Sequence, residues 1–363
     1  MKPGRVGRVA RAFTLALAAG SAGTAACRPA DARSKIDTAE LAKREARLTA
    51  ALTKADSVQA DTSLGAIDST IAHDTIAADA SPVDSANDGK KDKNDKNDGK
   101  KDKNDEDIAA TAARAGALAR WVLPRELDEI SGIALTADGR LLAHGDERGQ
   151  ISEIDFRRGV IVRQFVVGQP TLRADLEGIT IVHGTVFLLT DKGILYEFRE
   201  GANGTRVEYI TSDTRLGTEC EFEGLAFDPA INSLLLACKE IDDKRARDNM
   251  RIYRWKLEGG GERLSVLEVP LSKILPSIDE KEFHPADITI NPENGNYVVI
   301  ASIEKALVEI TPAGDVVFAR KLVGEHNQPE SIAITKDDIL IIGDEAGRRP
   351  AALTLYRWSQ YIR

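Results

Sequence analysis

Cysteine is nearly missing from this chain, with three residues in 363. That excludes a small fold held together by a disulfide framework. Aromatic residues make up only 5% of the chain, and no apolar stretch reaches the roughly 18 residues that a bilayer-spanning helix needs. A polytopic membrane protein is excluded on that ground. Motifs that carry a known mechanism are missing too: there is no G-x-S-x-G elbow, H-E-x-x-H helix, C-x-x-C pair, G-x-x-x-x-G-K-S/T loop or dinucleotide fingerprint. The net charge of −9 divides unevenly, as +4 over residues 1–26, −3 over 28–117 and −10 over 118–363. Without the first segment the chain carries about −13, which argues against a nucleic-acid partner, because phosphates need basic contacts.

The first 27 residues read as an export signal. Lys2, Arg5, Arg8 and Arg11 precede an apolar stretch over Ala12–Leu17, and Ala25-Ala26 stand before Cys27. Thr24-Ala25-Ala26-Cys27 resembles a lipobox, with Thr where Leu is usual. Cys27 is then expected to be the acylated residue of a membrane-anchored lipoprotein, periplasmic or at the cell surface, with plain cleavage near Ala26 as the alternative; two or more acyl chains would give lasting attachment.

Residues 28–117 read as a disordered charged linker. A helix is expected over about 38–55, where Leu41, Leu48 and Leu52 share one stripe. Beyond it, Asn87–Asp95 (NDGKKDKND) recurs at Asn97–Asp105. Such a repeat buries too little apolar surface to offset chain entropy. It is not an EF-hand either, since Ala86 and Lys96 fall where the third-position ligand belongs.

From Trp121 onward short β-branched runs alternate with Gly, Asp, Asn and Pro, the signature of an all-β domain over 118–363. Glu129, Glu177, Glu223, Asp287 and Glu330 each open a run of small and aliphatic residues, at intervals of 48, 46, 64 and 43 residues. Those intervals suit four-stranded propeller blades. Three strands follow in each repeat, and in the first four a fourth, Arg206–Thr211 being that of the second. The fifth repeat lacks its fourth strand, which residues 118–124 can supply. The expected fold is a five-bladed β-propeller closed by its N-terminal strand. A six-bladed ring is the alternative, with a blade hidden in the 64-residue interval.

Four motifs in order, Glu126–Ile133 (ELDEISGI), Ala143–Gly149 (AHGDERG), Asp175–Ile179 (DLEGI) and Thr190–Gly193 (TDKG), resemble the SdiA-regulated family, also called YjiK/CarP. The resemblance implies an exported propeller associated with calcium and likened to phytase-like propellers, with no settled catalytic activity. The fourth repeat departs from it, having Asp287 in place of a Glu-Gly pair.

In a propeller the start of each first strand meets the turn after each second strand near the channel mouth. Glu129, Glu177, Glu223, Asp287 and Glu330 form one expected set of metal ligands there, and Asp146, Glu147, Asp191, Glu240, Glu304, Asp344 and Glu345 a second. Crowded carboxylates either rise in pKa or hold a cation, and oxygen-only donors on irregular turns suit Ca²⁺. The competing reading is that these acids accept backbone N–H groups and hold blades together. Arg148, Lys192, Lys239, Lys305 and Arg348 stand on the same turns, where they either contact a phosphorylated substrate beside calcium, as in a phytase-like phosphoester hydrolase, or pair with neighbouring acids. His144 and His284 lie near the rim, and the insertions Ile241–Asn249 and Leu271–Pro285 overhang it as a lid or partner surface. Cys220 and Cys238 share one repeat, but the inferred hairpin register sets Cys238 opposite about Leu225, against a disulfide. The functional expectation is a cation-binding mouth that presents its face to a ligand or protein partner.

Overall fold

The computed structural model describes residues 42–43, 45–51, 53, 116–242, 247–257 and 263–362. Cys27 and the Asn87–Asp105 repeat lie outside them. Strand β1 (Ala119–Val122) precedes a first blade of β2 (Ile130–Leu135), β3 (Leu141–Gly145), β4 (Gln150–Asp155) and β5 (Val160–Val167). Blade 2 holds β6 (Leu176–Val182), β7 (Thr185–Thr190), β8 (Ile194–Arg199) and β10 (Ile210–Asp213). Blade 3 is β11 (Cys220–Asp228), β12 (Ser233–Ile241), β13 (Asn249–Lys256) and β14 (Leu264–Pro270). Blade 4 is β15 (Pro285–Ile290), β16 (Tyr297–Ala301), β17 (Ala306–Ile310) and β18 (Val316–Lys321). Blade 5 is β19 (Pro329–Ile334), β20 (Ile339–Asp344) and β21 (Ala352–Arg357), and β1 pairs antiparallel with β21 as its outermost strand. Inner strands β2, β6, β11, β15 and β19 touch one another in a closed cycle. The ring is five-bladed, and the described residues of the long interval hold no sixth blade.

The core lies in the five seams between blades, and strand alternation explains why. Along β16, Tyr297, Val299 and Ala301 pack toward blade 3 while Val298 and Ile300 pack toward blade 5. Both faces of a middle strand are buried, so its sequence reads as an unbroken apolar run. Near the axis even a methyl group is too much at some positions. A Cβ on Gly224 would lie 2.7 Å from the Asp287 Cα, and one on Gly178 would lie 2.8 Å from the Leu225 nitrogen.

β1 is fixed by polar contacts as well as by its ladder. Arg120 donates to Thr354 Oγ1 at 2.7 Å and to Asp344 Oδ2 at 3.3 Å, and His326 Nδ1 meets the same carboxylate oxygen at 2.9 Å. Asp344 is fully buried. Helical residues 42–43, 45–51 and 53 fall within the helix expected over 38–55, and Leu48 joins the seam between blades 5 and 1 beside Trp121 and Leu123.

Two expectations need correction. Arg206–Thr211 is not one strand: β9 (Arg206–Val207) adds in parallel to the edge of blade 1, and Ile210–Asp213 completes blade 2. Cys220 and Cys238 do form a disulfide, with Cα atoms 5.8 Å apart. Register shifts on either side of Phe222 set Cys238 opposite Phe222, so the simple hairpin count fails by several residues.

Gly224→Ala should destabilise the ring by about 1–3 kcal/mol, because the added carbon meets backbone of the next blade. Thermal unfolding checks this; an unchanged Tm would show that the inner strands can spread.

Candidate functional site

The mouth is built by a repeated irregularity. Every inner strand pairs with its neighbour, skips one residue and resumes: the register shifts fall between Ile130 and Gly132, Leu176 and Gly178, Phe222 and Gly224, Pro285 and Asp287, and Pro329 and Ser331. The skipped residues are Ser131, Glu177, Glu223, Ala286 and Glu330. They converge across blades. Ser131 Oγ contacts Glu177 Oε2 at 3.2 Å, Glu177 and Glu223 repel, and Glu223 also feels Glu330, two blades away.

Glu129 and Asp287, expected in the same set, are offset. Glu129 precedes the paired Ile130, so its counterpart in blade 2 is Asp175; their carbonyls accept the N–H groups of Asp146 and Asp191 at 3.3 and 3.2 Å. Asp287 follows the bulge, where blades 1 to 3 carry Gly132, Gly178 and Gly224. It is buried, and its carboxylate accepts N–H from Ile288 at 2.7 Å, from Ile332 of blade 5 at 2.9 Å, and from Leu225 of blade 3. Burial holds its pKa well above the ordinary range against those three bonds. Asp287 thus ties three blades, the role that the competing sequence reading assigned to such acids.

The electrostatics single out part of the expected ligand set. Burial, with Glu223 and Asp175 nearby, pushes Glu177 up to about 9. Burial pushes Glu223 up to about 7 although Lys239 donates to its Oε1 at 2.6 Å. Burial also raises Glu330, which accepts a 2.9 Å bond from Ser302 Oγ. Glu345 reaches about 7 through burial and then through repulsion from Glu330, Asp146 and Glu129. Asp146 is raised by burial, and its Oδ1 is buried without a hydrogen-bond partner. Glu129 is raised chiefly by Asp146. These six carboxylates form one mutually repelling group.

The others are engaged elsewhere. Glu304 holds His284 through Nδ1 at 2.7 Å and its main-chain N–H at 3.1 Å. Asp344 belongs to the Arg120–His326 cluster, Asp191 pairs with Lys192 at 2.8 Å, and Glu240 pairs with Arg247 at 3.1 Å. Glu147 is exposed and adds charge beside Glu129 and Asp146. Of the expected anion contacts, Lys192 and Lys239 are spent on acids, while Arg148, Lys305 and Arg348 are exposed. Leu271–Pro285 does reach the mouth, but Ile274, Ile278 and Phe283 anchor it in the core. His144 is fully buried, with Nδ1 on the Gly145 carbonyl at 3.0 Å, and burial lowers its pKa to about 4.

Sequence reasoning passed over Ser131, Asp175, Glu221 and Ser302. The DLEGI motif already contained Asp175, two residues before Glu177, but only the bulge shows that Glu129 is its counterpart. Among the described residues no three His, Cys, Asp or Glu close on one point as a metal site, and no helix is long and apolar enough to cross a membrane.

Residues 272–361 match the SdiA-regulated family. The match falls on blades 4 and 5, whereas the motifs that carry the resemblance lie in blades 1 and 2. No curated protein matches the chain at a significant level. Among solved structures, Myxococcus xanthus glutaminyl cyclase is 12% identical with a TM-score of 0.46, covering 66% of this chain and 94% of its own. A Thermus thermophilus putative oxidoreductase (glucose dehydrogenase) is 11% identical with a TM-score of 0.41, covering 65% and 99%. Staphylococcus aureus virginiamycin B lyase is 17% identical with a TM-score of 0.35, covering 66% and 73%. Likenesses this distant say nothing about activity.

Glu177 gives a signed pH dependence. Its folded pKa of about 9 lies above its ordinary value of 4.5, so protonation favours the folded state. That stabilisation is complete below about pH 4.5 and is lost progressively as the pH rises through about 9. In metal-free buffer Glu177→Gln should therefore raise Tm by a few degrees at pH 8 and leave it nearly unchanged at pH 4; equal effects at both values would contradict the assignment.

Proposed function

We propose that this chain is an exported, membrane-tethered propeller that binds a divalent cation at its acidic mouth and presents that face to a ligand or protein partner. The observation that carries the reading is the group of Glu177, Glu223 and Glu330 on bulges of three blades, with Glu129, Asp146 and Glu345 beside them. Their pKa values are all raised. Ionised together, these six carboxylates with Lys239 as their close cationic partner would be an uncompensated charge, so they either stay partly protonated or take up a cation. The donors are oxygens carried by turns and bulges, which fits Ca²⁺ better than an ion that demands a strict octahedron. As the sites stand, Glu129, Asp146 and Glu345 must close toward the bulge carboxylates to complete a coordination sphere. The engagement of Lys192 and Lys239 with acids weighs against the phosphoester-hydrolase alternative.

Export and tethering rest on the leader and Cys27. A Cys27→Ser variant should move from the membrane fraction to the soluble exported fraction; a variant that stays with the membrane rules out acylation as the anchor.

Calcium at 100 times its Kd should stabilise the protein by about 2.7 kcal/mol relative to chelator, which for a domain of this size corresponds to roughly 5–10 °C in Tm. Identical melting curves in calcium and in chelator would defeat the cation reading.

A further inference from the structure

Blade 3 departs from the other four at its inner hairpin. The hairpins β2–β3, β6–β7, β15–β16 and β19–β20 each have one register shift, whereas β11–β12 has two. One skips Glu223 on β11, at the position skipped in every blade. The other skips Lys239 on β12, because Phe222 lies opposite Cys238 and Glu221 opposite Glu240. Two bulged residues on facing strands therefore meet: Lys239 Nζ donates to Glu223 Oε1 at 2.6 Å and lies 3.8 Å from Glu221 Oε1. A hydrogen bond between two ionised groups is about twice as strong as a neutral one.

Two fixed points squeeze Lys239 out of the ladder. Cys220 lies opposite Ile241, and its sulfur is bonded to that of Cys238, with the Cα atoms 5.8 Å apart. From Cys220 to Phe222 the chain passes one residue, Glu221; on the facing strand, from Ile241 back to Cys238, it passes two, Glu240 and Lys239. Cys220, Phe222, Cys238 and Ile241 are all buried in the seam between blades 2 and 3, so none of them can turn out toward the mouth instead. An unbraced bulge is free to move along its strand, since the move only changes which residue is left out of the ladder. The bridge confines the extra residue to the stretch between Cys238 and Ile241, where the Lys239 ammonium has Glu223 to face.

We propose that the Cys220–Cys238 bridge is a positioning element of the mouth: it braces the bulge that sets Lys239 against Glu223, and opening it withdraws that positive charge from the acidic group. The two cysteines act only through Lys239. The inference holds whether or not the mouth takes up a cation. Such a bridge forms and persists in an oxidising compartment, in keeping with the export proposed above.

Acylation of the full chain by an amine-reactive reagent, followed residue by residue by mass spectrometry with the exposed Lys305 as internal reference, tests this. Burial alone would lower the Lys239 pKa, but Glu223 and then Glu221 hold it above the ordinary value, so Lys239 of the intact chain should react more slowly than Lys305. Glu223→Gln, which leaves the bridge in place, should speed modification of Lys239 about tenfold, the change in free amine that one pKa unit makes. The double variant Cys220→Ser, Cys238→Ser should produce the same rise and leave Lys305 unaltered. Should that variant fail to fold, brief treatment of the folded chain with dithiothreitol takes its place; the dithiol is oxidised to its cyclic disulfide and passes two electrons and two protons to the bridge, leaving two thiols. A bridge with a purely structural role would lower Tm on removal and leave Lys239 protected. Lys239 reacting as fast as Lys305 in the intact chain, or staying protected once the bridge is open, overturns the proposal.

Discussion

One extra residue at the start of each inner strand governs the rest of this molecule. A β-bulge leaves its added residue out of the ladder and bends the strand. Repeated five times around an axis, it takes five side chains out of the ladder; four stand at the mouth, and Ala286 packs into the seam between blades 4 and 5. Three are glutamates, one is Ser131 and one is Ala286. The seams below cannot accept charge, since strands such as β16 are buried on both faces. Carboxylates on the bulges therefore have only the mouth to occupy, and there they meet others in the same position. The raised pKa values of Glu177, Glu223 and Glu330 follow from this geometry: burial is the leading cause for each.

Closure makes the same geometry hold at the weakest point of the ring. Blade 5 is assembled from the two ends of the domain, and β1 has only β21 as its ladder partner. Hydrophobic burial does not discriminate well between registers of so short a strand, whereas a buried charge with fixed partners does. Arg120 reaches Asp344 and Thr354 only when Arg120 lies opposite Thr354. Breaking such a buried pair by removing one partner costs about 3–5 kcal/mol, even where the intact pair contributes little net stability. Asp344 thus serves the seam, and its neighbour Glu345 serves the mouth; one step along the chain separates a structural acid from one whose pKa is pushed up to about 7.

The blade count, the closing strand and the direction of the rim were legible because each rests on periodicity, and periodicity survives in a single sequence. Bulges do not leave such a trace. Glu129 and Asp287 sit beside apolar runs much like those after Glu177 and Glu223, yet lie on different sides of the skipped residue. The same blindness hid the Cys220–Cys238 bridge, which needs the two shifts around Phe222. Asp287 was readable in a different sense: its departure from the Glu-Gly pattern marks a position where blades 1 to 3 have glycine. An acid fits there only because backbone N–H groups of three blades converge on it. Glu304, Asp344 and Asp191 could not be sorted from Glu345 and Asp146 by type, since the difference is whether a His, an Arg or a Lys has claimed the carboxylate.

The mouth is consequently polarised rather than five-fold. Acids crowd blades 1 to 3, with Glu129, Asp146, Asp175, Glu177, Glu221 and Glu223, whereas blade 4 contributes Ala286 at the bulge and His284 before it. Blade 5 adds Glu330, which feels Lys239 of blade 3, and Glu345, which is repelled by Asp146 of the adjacent blade 1. A uniform ring of charge would attract cations without orienting anything larger. A ring with a carboxylate-rich arc and an imidazole-bearing gap has a direction, set by which blade departs from the repeat. The excess of −10 over residues 118–363 extends that attraction beyond contact distance, because charge summed over a surface raises the local concentration of counter-ions.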